Sequence, residues 1–178
     1  EDSPTQKVAY GTVEDIDTIA HLTPMLSLDN SYNEDDLGEF DRKVRELTGL
    51  DDVDYFVEPK FDGAGISLIY KDGMLKRALS RGDGKKGEDI THNAKAIRNI
   101  PLGLSLNKDY LMEVRGEVVL SKENFIELNK KRESSGLSRL ANPRNTAAGS
   151  LRMKDASVTA ERKLEAIFYH ISVLEDND

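Results

Sequence analysis

Glu58-Pro59-Lys60-Phe61-Asp62-Gly63 runs directly into Ala64-Gly65-Ile66-Ser67-Leu68-Ile69-Tyr70, after which come Lys71-Asp72-Gly73 and Met74 to Ser80. Two apolar, strand-like runs on either side of an Asp-Gly pair predict a β-hairpin. Tyr55 to Val57 reads as a further strand ahead of the hexapeptide. That places Lys60 between strands, where a backbone can hold a side chain in a fixed direction. A lysine amine is a nucleophile when desolvation or a cationic neighbour keeps part of it unprotonated. Gly63 lets the chain approach a ligand closely, and the carboxylates of Glu58 and Asp62 can contact sugar hydroxyls, a base amino group or a metal. Taken alone, Lys-x-Asp-Gly arises by chance on the order of a few per cent of the time in a chain of this length. It then reads as a surface lysine beside a turn.

Working outward, Asn33 followed by Glu34, Asp35 and Asp36 predicts a helix start with acidic groups at the positive end of the macrodipole. Leu37, Phe40, Val44 and Leu47 recur at helical spacing up to Gly49, a C-terminal cap, which predicts a structural helix with Leu37 and Phe40 in the core. A Gly-rich loop spans Gly82 to Gly87. Asp89 or Thr91 caps a short helix through Ala94 and Ile97 that must end before Pro101. Tyr110 to Leu120 reads as a strand, Ser121 caps a helix carrying Phe125 and Leu128, and Asn142-Pro143 opens another. Leu164 to Leu174 reads as the last strand. Ile66, Ile97, Phe125 and Leu128 are the other expected core residues. From pattern alone, Tyr169 is a core strand residue and Glu113 and Glu117 are exposed strand charges. Strands and helices mix without strict βαβ alternation, so the predicted fold class is α+β with mostly antiparallel sheets and flanking helices.

A chain of 178 residues suits one domain with a sizeable core. It has no cysteine, which excludes disulfides and thiolate zinc sites and leaves oxygen or imidazole ligands for any metal. Its longest apolar runs are far short of a membrane span. The net charge of -8 argues against nucleic acid until its distribution is read. Residues 1–59 carry 16 acidic and 4 basic side chains, whereas residues 130–163 carry 9 basic and 3 acidic. By charge alone the basic stretch reads as a solvated helix face; the sharper alternative is a phosphate-binding surface.

Longer motifs decide between these readings. Lys60 to Gly63 resembles the signature of the covalent nucleotidyltransferases, and its surroundings are similar to those of bacterial NAD-dependent DNA ligases. The matching stretches are His21-Leu22-Thr23-Pro24-Met25-Leu26-Ser27-Leu28-Asp29-Asn30, Ser80-Arg81-Gly82-Asp83-Gly84 with Gly87-Glu88-Asp89, Ile97 to Pro101, and Glu113-Val114-Arg115-Gly116-Glu117-Val118. Ala141-Asn142-Pro143-Arg144-Asn145-Thr146-Ala147-Ala148-Gly149-Ser150-Leu151-Arg152 completes the set with one Thr-for-Ala difference. The resemblance extends from Ser3 to about Tyr169 in the family's order.

The resemblance implies the ATP-grasp-like nucleotidyltransferase fold, incomplete here on its C-terminal side, and a chemistry. Lys60 attacks the α-phosphorus of NAD, nicotinamide mononucleotide leaves, and AMP stays on the amine. AMP then passes to the 5'-phosphate of nicked double-stranded DNA and the 3'-hydroxyl displaces it, with Mg2+ as the usual partner. Asp62 joins Lys60 as a catalytic residue. Glu117 matches the acid that accepts a ribose hydroxyl, Glu58 the one near the adenine amino group, and Tyr169 the aromatic stacked on the base. Ser27 and Leu28 match residues on the adenine side, and Arg81 an arginine near ribose and phosphate. Arg144 and Arg152 match arginines that contact nick phosphates, the alternative for Arg144 being carbonyl capping or pairing with a neighbouring acid.

Phe61, Ala9-Tyr10 and His170 depart from the family pattern without removing a catalytic group. The whole chain is expected to be part of an adenylation domain. The nicotinamide-mononucleotide-binding domain, the second motif lysine, and the OB, zinc-finger, helix-hairpin-helix and BRCT domains are expected outside it, with zinc confined to that finger. A fragment of this kind is expected to expose strand edges and not to ligate by itself. The parent is expected to be a monomer in the bacterial cytoplasm, at the nucleoid, serving DNA replication and repair. The rival readings are an ATP-dependent polynucleotide ligase sharing Lys60 to Gly63 and a non-catalytic AMP- or DNA-binding fragment.

Overall fold

Alternation along Ile66, Leu68 and Tyr70 buries all three on one side of a strand, and the rest of the architecture forms around them. The computed structural model describes residues 16–105 and 110–176; Ala9-Tyr10 lies outside them. The chain divides into two compact units, Leu26–Lys60 and the remainder.

In the larger unit, β2 (Ala64–Lys71), β3 (Met74–Ser80), β5 (Tyr110–Val119) and β6 (Glu165–Asp176) form an antiparallel sheet in the order β3-β2-β5-β6. The expected hairpin joins β2 to β3, with Asp72 at φ 53° and Gly73 at φ 71°. Two successive left-handed residues match the right-handed twist of the strands they connect. A side chain on Gly73 would also meet the Leu104 carbonyl oxygen at 2.8 Å. A second, two-stranded sheet pairs β1 (Thr18–Ala20) with β4 (Lys86–Glu88); neither strand was legible in the hydrophobic pattern. The mixture of helix with antiparallel sheet is the class the pattern predicts.

The helices are α2 (Thr91–Ala94), α3 (Lys122–Ser134), α4 (Pro143–Leu151) and α5 (Ala156–Glu161). Ser121 caps α3 by accepting from the Asn124 N–H, and Asn142 caps α4 through the Asn145 N–H, as their position before helical runs predicts. Asp89 accepts from the Thr91 N–H at 3.0 Å. Beyond α2 the chain continues in i→i+3 bonds, Ala96 N–H to Asn93 O and Ile97 N–H to Ala94 O, so the expected helix is one regular turn with a tighter extension. The short α5 had no pattern long enough to announce it.

Ile66, Leu68, Tyr70, Met112 and Val118 supply the sheet side of the core, closed by Ala94, Ile97, Ile100, Ala147 and Leu151. Phe125 and Leu128 pack against it partly buried. The sheet therefore has an apolar face under the helices and a second face with different residues.

In the smaller unit, α1 (Glu34–Thr48) begins at Asn33, which accepts from the Asp36 N–H, and ends at Gly49 with φ 70°. Both caps are as predicted. The apolar stripe is not core: no residue of α1 is buried, and Leu37 and Phe40 are 58% and 51% exposed. Periodicity identifies which residues share a face but not whether anything covers it. Phe40 meets the Tyr55 ring at a centroid distance of 5.8 Å, and the Tyr55 hydroxyl donates to Asp41 at 2.7 Å. Tyr55 to Val57 is irregular rather than a strand, since a short apolar run becomes a strand only where a partner completes its ladder.

Candidate functional site

The second face of the large sheet carries its polar residues. On β2 the residues alternating with the core are Gly65, Ser67 and Ile69, and the register sets Gly65 opposite Glu117, Ser67 opposite Arg115 and Ile69 opposite Glu113. A side chain on Gly65 would meet Arg81 Cβ at 3.5 Å, Glu117 Oε2 at 3.7 Å and Met25 Cε at 3.7 Å. Bare backbone at Gly65 thus leaves a shallow floor between an arginine and a carboxylate. Tyr169 stands at the register shift between β5 and β6, where it is the residue unmatched between Phe168 and His170. It is 52% exposed, not the core residue that pattern alone suggests, because a bulge re-aims side chains. Burial of part of its ring and the charge of Glu117 raise its hydroxyl pKa above the usual 10.0, against the opposing charges of Arg115 and Arg81. Arg81, Glu117 and Tyr169 are therefore brought into one electrostatic neighbourhood.

Beside Glu117 on the same strand face, Glu113 and Arg115 form a buried network. Glu113 is fully buried, the opposite of an exposed strand charge. Its carboxylate accepts from Ser67 at 2.5 Å, Ser172 at 2.6 Å and Thr23 at 3.2 Å, and lies 3.4 Å from an Arg115 Nη. Burial pushes this carboxyl up, but the Ser172 and Ser67 hydroxyls, the charge of Arg115 and the Thr23 hydroxyl outweigh it and hold the pKa below the usual 4.5. Arg115 donates to the Pro24 carbonyl at 3.0 Å and the Thr23 carbonyl at 2.6 Å, and contacts the Thr23 hydroxyl. Charges at alternate positions, Glu113, Arg115 and Glu117, were the available signal, since period two places all three on one face.

The segment before Leu26 lies against this face and the Gly-rich loop. His21 N–H donates to Lys85 O, Met25 N–H donates to Gly84 O, and a ring nitrogen of His21 is 3.0 Å from Arg81 O. Met25 is buried.

The two arginines of α4 stand at its ends, Arg144 in the first turn and Arg152 at the C-cap. Eight residue steps along the helix set their backbones roughly 12 Å apart. Arg144 pairs with Asp62 at 3.1 Å and Arg152 with Glu88 at 2.5 Å. Pairing with a neighbouring acid is thus realised for both, and Glu88 is a partner that sequence reasoning did not identify. The arginines remain 61% and 58% exposed, and exposed pairs contribute little to stability. The helix itself is held firmly. Asn93 donates to the Leu151 and Met153 carbonyls at 2.8 and 2.9 Å, Thr159 Oγ1 is 2.7 Å from Ser150 O, and Arg162 donates to Ser150 Oγ at 2.7 Å.

Ser27, Leu28, Glu58 and Lys60 belong to the smaller unit, in irregular backbone on either side of α1 in the chain. Gly63, three residues beyond Lys60, is buried where β2 begins. Among the described residues no three His, Asp or Glu side chains gather to hold a metal ion. No helix among them is long and apolar enough to cross a membrane.

The sequence is similar to those of known proteins. The family model for the NAD-dependent DNA ligase adenylation domain matches residues 13–178. The DNA ligase of Aquifex aeolicus (strain VF5) is 54% identical over 176 residues, 98% of this chain and 24% of its own length. That of Persephonella marina (strain DSM 14350 / EX-H1) is 52% identical over 99% of this chain and 25% of its own length. That of Methylococcus capsulatus (strain ATCC 33009 / NCIMB 11132 / Bath) is 48% identical over 98% and 26%. The chain spans about a quarter of the length of the curated relatives it matches.

Proposed function

The chain belongs to the family of NAD-dependent DNA ligase adenylation domains, and from that premise we propose that it carries the self-adenylating part of a DNA ligase built on the nucleotidyltransferase fold. The Lys60 amine attacks the α-phosphorus of NAD. A P–N bond forms, the phosphoanhydride bond breaks, nicotinamide mononucleotide leaves with the bonding electrons, and the amine loses a proton. AMP then moves to the 5'-phosphate of a nick, and attack by the 3'-hydroxyl expels it to close the strand during replication and repair.

The observation that carries this reading is that Arg81 and Glu117 flank Gly65 of β2, the strand that Lys60 to Gly63 leads into, and that Tyr169 of β6 stands within reach of their charges. An aromatic ring offers its face to a purine, a carboxylate accepts from ribose hydroxyls, and a guanidinium matches phosphate. Glu58 is assigned to the adenine amino group, Ser27 and Leu28 to the adenine side, and Asp62 to the reacting end beside Lys60. Arg144 and Arg152 are assigned to DNA phosphates, for which their exposed carboxylate pairs exchange readily. Magnesium is a usual partner in phosphoryl transfer, held by one or two carboxylates and the substrate's own phosphates.

Mass spectrometry of the full-length protein after incubation with NAD tests the reading. The expected result is a mass increase of one AMP that Lys60→Ala abolishes. An adduct on the Ala variant places the nucleophile elsewhere, and adenylation by ATP but not NAD overturns the choice of substrate.

A further inference from the structure

Arg115 spends its guanidinium on backbone. It is 9% exposed, its two Nη groups reach the carbonyls of Pro24 and Thr23, and its Nε has no hydrogen-bond partner among the described residues. An unpaired buried donor is costly, and a buried ion pair is weak evidence for stability because apolar side chains of similar volume often serve as well. What the fork does supply is direction. It holds two consecutive carbonyls of the Thr23–Met25 segment against β5, while Glu113 supplies the compensating charge and gathers hydroxyls from β2 (Ser67), β6 (Ser172) and the segment itself (Thr23). Met25 follows at once, tied to Gly84 O at 2.8 Å, with its methyl beside Gly65 and hence beside Arg81 and Glu117.

We propose that Arg115, charge-balanced by Glu113, is a positioning residue for nucleotide binding: it pins Thr23–Met25 to the sheet face that bears Glu117 and Tyr169, so that Met25 forms a fixed wall of the nucleotide floor at Gly65. The inference rests on the reading of that face as the nucleotide site. Both residues are buried and act through the segment they hold. Their loss loosens the wall that captures the nucleotide and leaves the attacking amine and the phosphate chemistry intact, so binding suffers and turnover does not.

The test is steady-state sealing of nicked DNA at varied NAD by the full-length protein, with adduct formation followed separately, for Arg115→Lys, Glu113→Gln and Thr23→Val beside wild type and Lys60→Ala. Lysine keeps the charge but lacks the planar fork whose two Nη groups hold the two carbonyls in fixed directions. Arg115→Lys is expected to raise the KM for NAD on the order of tenfold, the scale of one lost charge-assisted hydrogen bond, with kcat changed by less than about threefold. Thr23→Val removes one hydroxyl without altering shape and is expected to raise KM in the same direction by less. Closure of a pre-adenylated nick, which needs no capture of free NAD, is expected to change less than about threefold. Should Arg115→Lys not fold, Thr23→Val decides. Unchanged KM with a lowered melting temperature makes the pair merely structural and overturns the inference, as does an equal loss in nick closure. If wild type forms no adduct, or Lys60→Ala still forms one, it is the functional reading that fails. A normal adduct with wild-type KM in the variants sinks this inference alone.

Discussion

Gly63, the last residue of the Lys-x-Asp-Gly signature, is required for space rather than for backbone freedom. A Cβ there would sit 2.2 Å from the Val118 carbonyl oxygen, 2.9 Å from its carbon and 3.0 Å from Val119 Cγ1. The oxygen belongs to β5 backbone at the point where β2 starts to pair, Ala64 opposite Val118. Reaching even a 3.0 Å contact requires a displacement of about 0.8 Å in one strand or the other, and overpacking of this kind costs about 1–3 kcal/mol. Because backbone and not a flexible side chain is in the way, Gly63→Ala is expected at the upper half of that range. For a chain of this size each kcal/mol lowers the melting temperature by about 2–4 °C, so a fall of about 4–12 °C follows. Gly65→Ala, two residues along, is the control. Its Cβ finds only ordinary contacts of 3.5–3.7 Å, and its stability is expected within about 0.5 kcal/mol of wild type. Thermal melts of the 178-residue chain followed by circular dichroism compare the two. If Gly63→Ala melts at or above Gly65→Ala, steric exclusion is not what this glycine supplies.

Three further outcomes are expected. In the full-length protein, Arg144→Ala or Arg152→Ala leaves the Lys60 adduct nearly intact while slowing AMP transfer or nick closure, and lowers the salt slope of DNA binding by roughly one unit per lost phosphate contact. A lower melting temperature with an unchanged slope would instead assign the arginines to Asp62 and Glu88. Because the Glu113 carboxyl titrates below 4.5 in the folded chain, its contribution to stability is complete above that pH and is lost as pH falls through its folded value. Melting temperature should thus drop more steeply with acid in wild type than in Glu113→Gln, and a steeper drop in the variant contradicts the network. Finally, Glu117→Gln removes a negative charge that raises the Tyr169 pKa, so the phenolate absorbance transition missing in Tyr169→Phe should move down toward 10.0. No movement would separate the two side chains.

Local chemistry was legible from the residues alone. Asn33, Ser121 and Asn142 cap helices, Gly49 ends one, and Asp72-Gly73 turns a hairpin, because each acts on backbone groups within three or four residues of itself. The alternation of Ile66, Leu68 and Tyr70 marked a core face for the same reason. Motif order supplied the family and the candidate residues. Contacts distant in sequence were not legible. Whether the stripe of α1 is covered, whether Tyr55 to Val57 finds a strand to pair with, and that Arg144 meets Asp62 and Arg152 meets Glu88 all depend on which strands and helices become neighbours. Glu113 shows this most plainly. As a strand residue of period two it belongs on a polar face, but only the docking of Thr23, Ser67, Ser172 and Arg115 around it turns a solvated charge into a buried one, since burial and the donors that make it tolerable come from four separate segments of the chain.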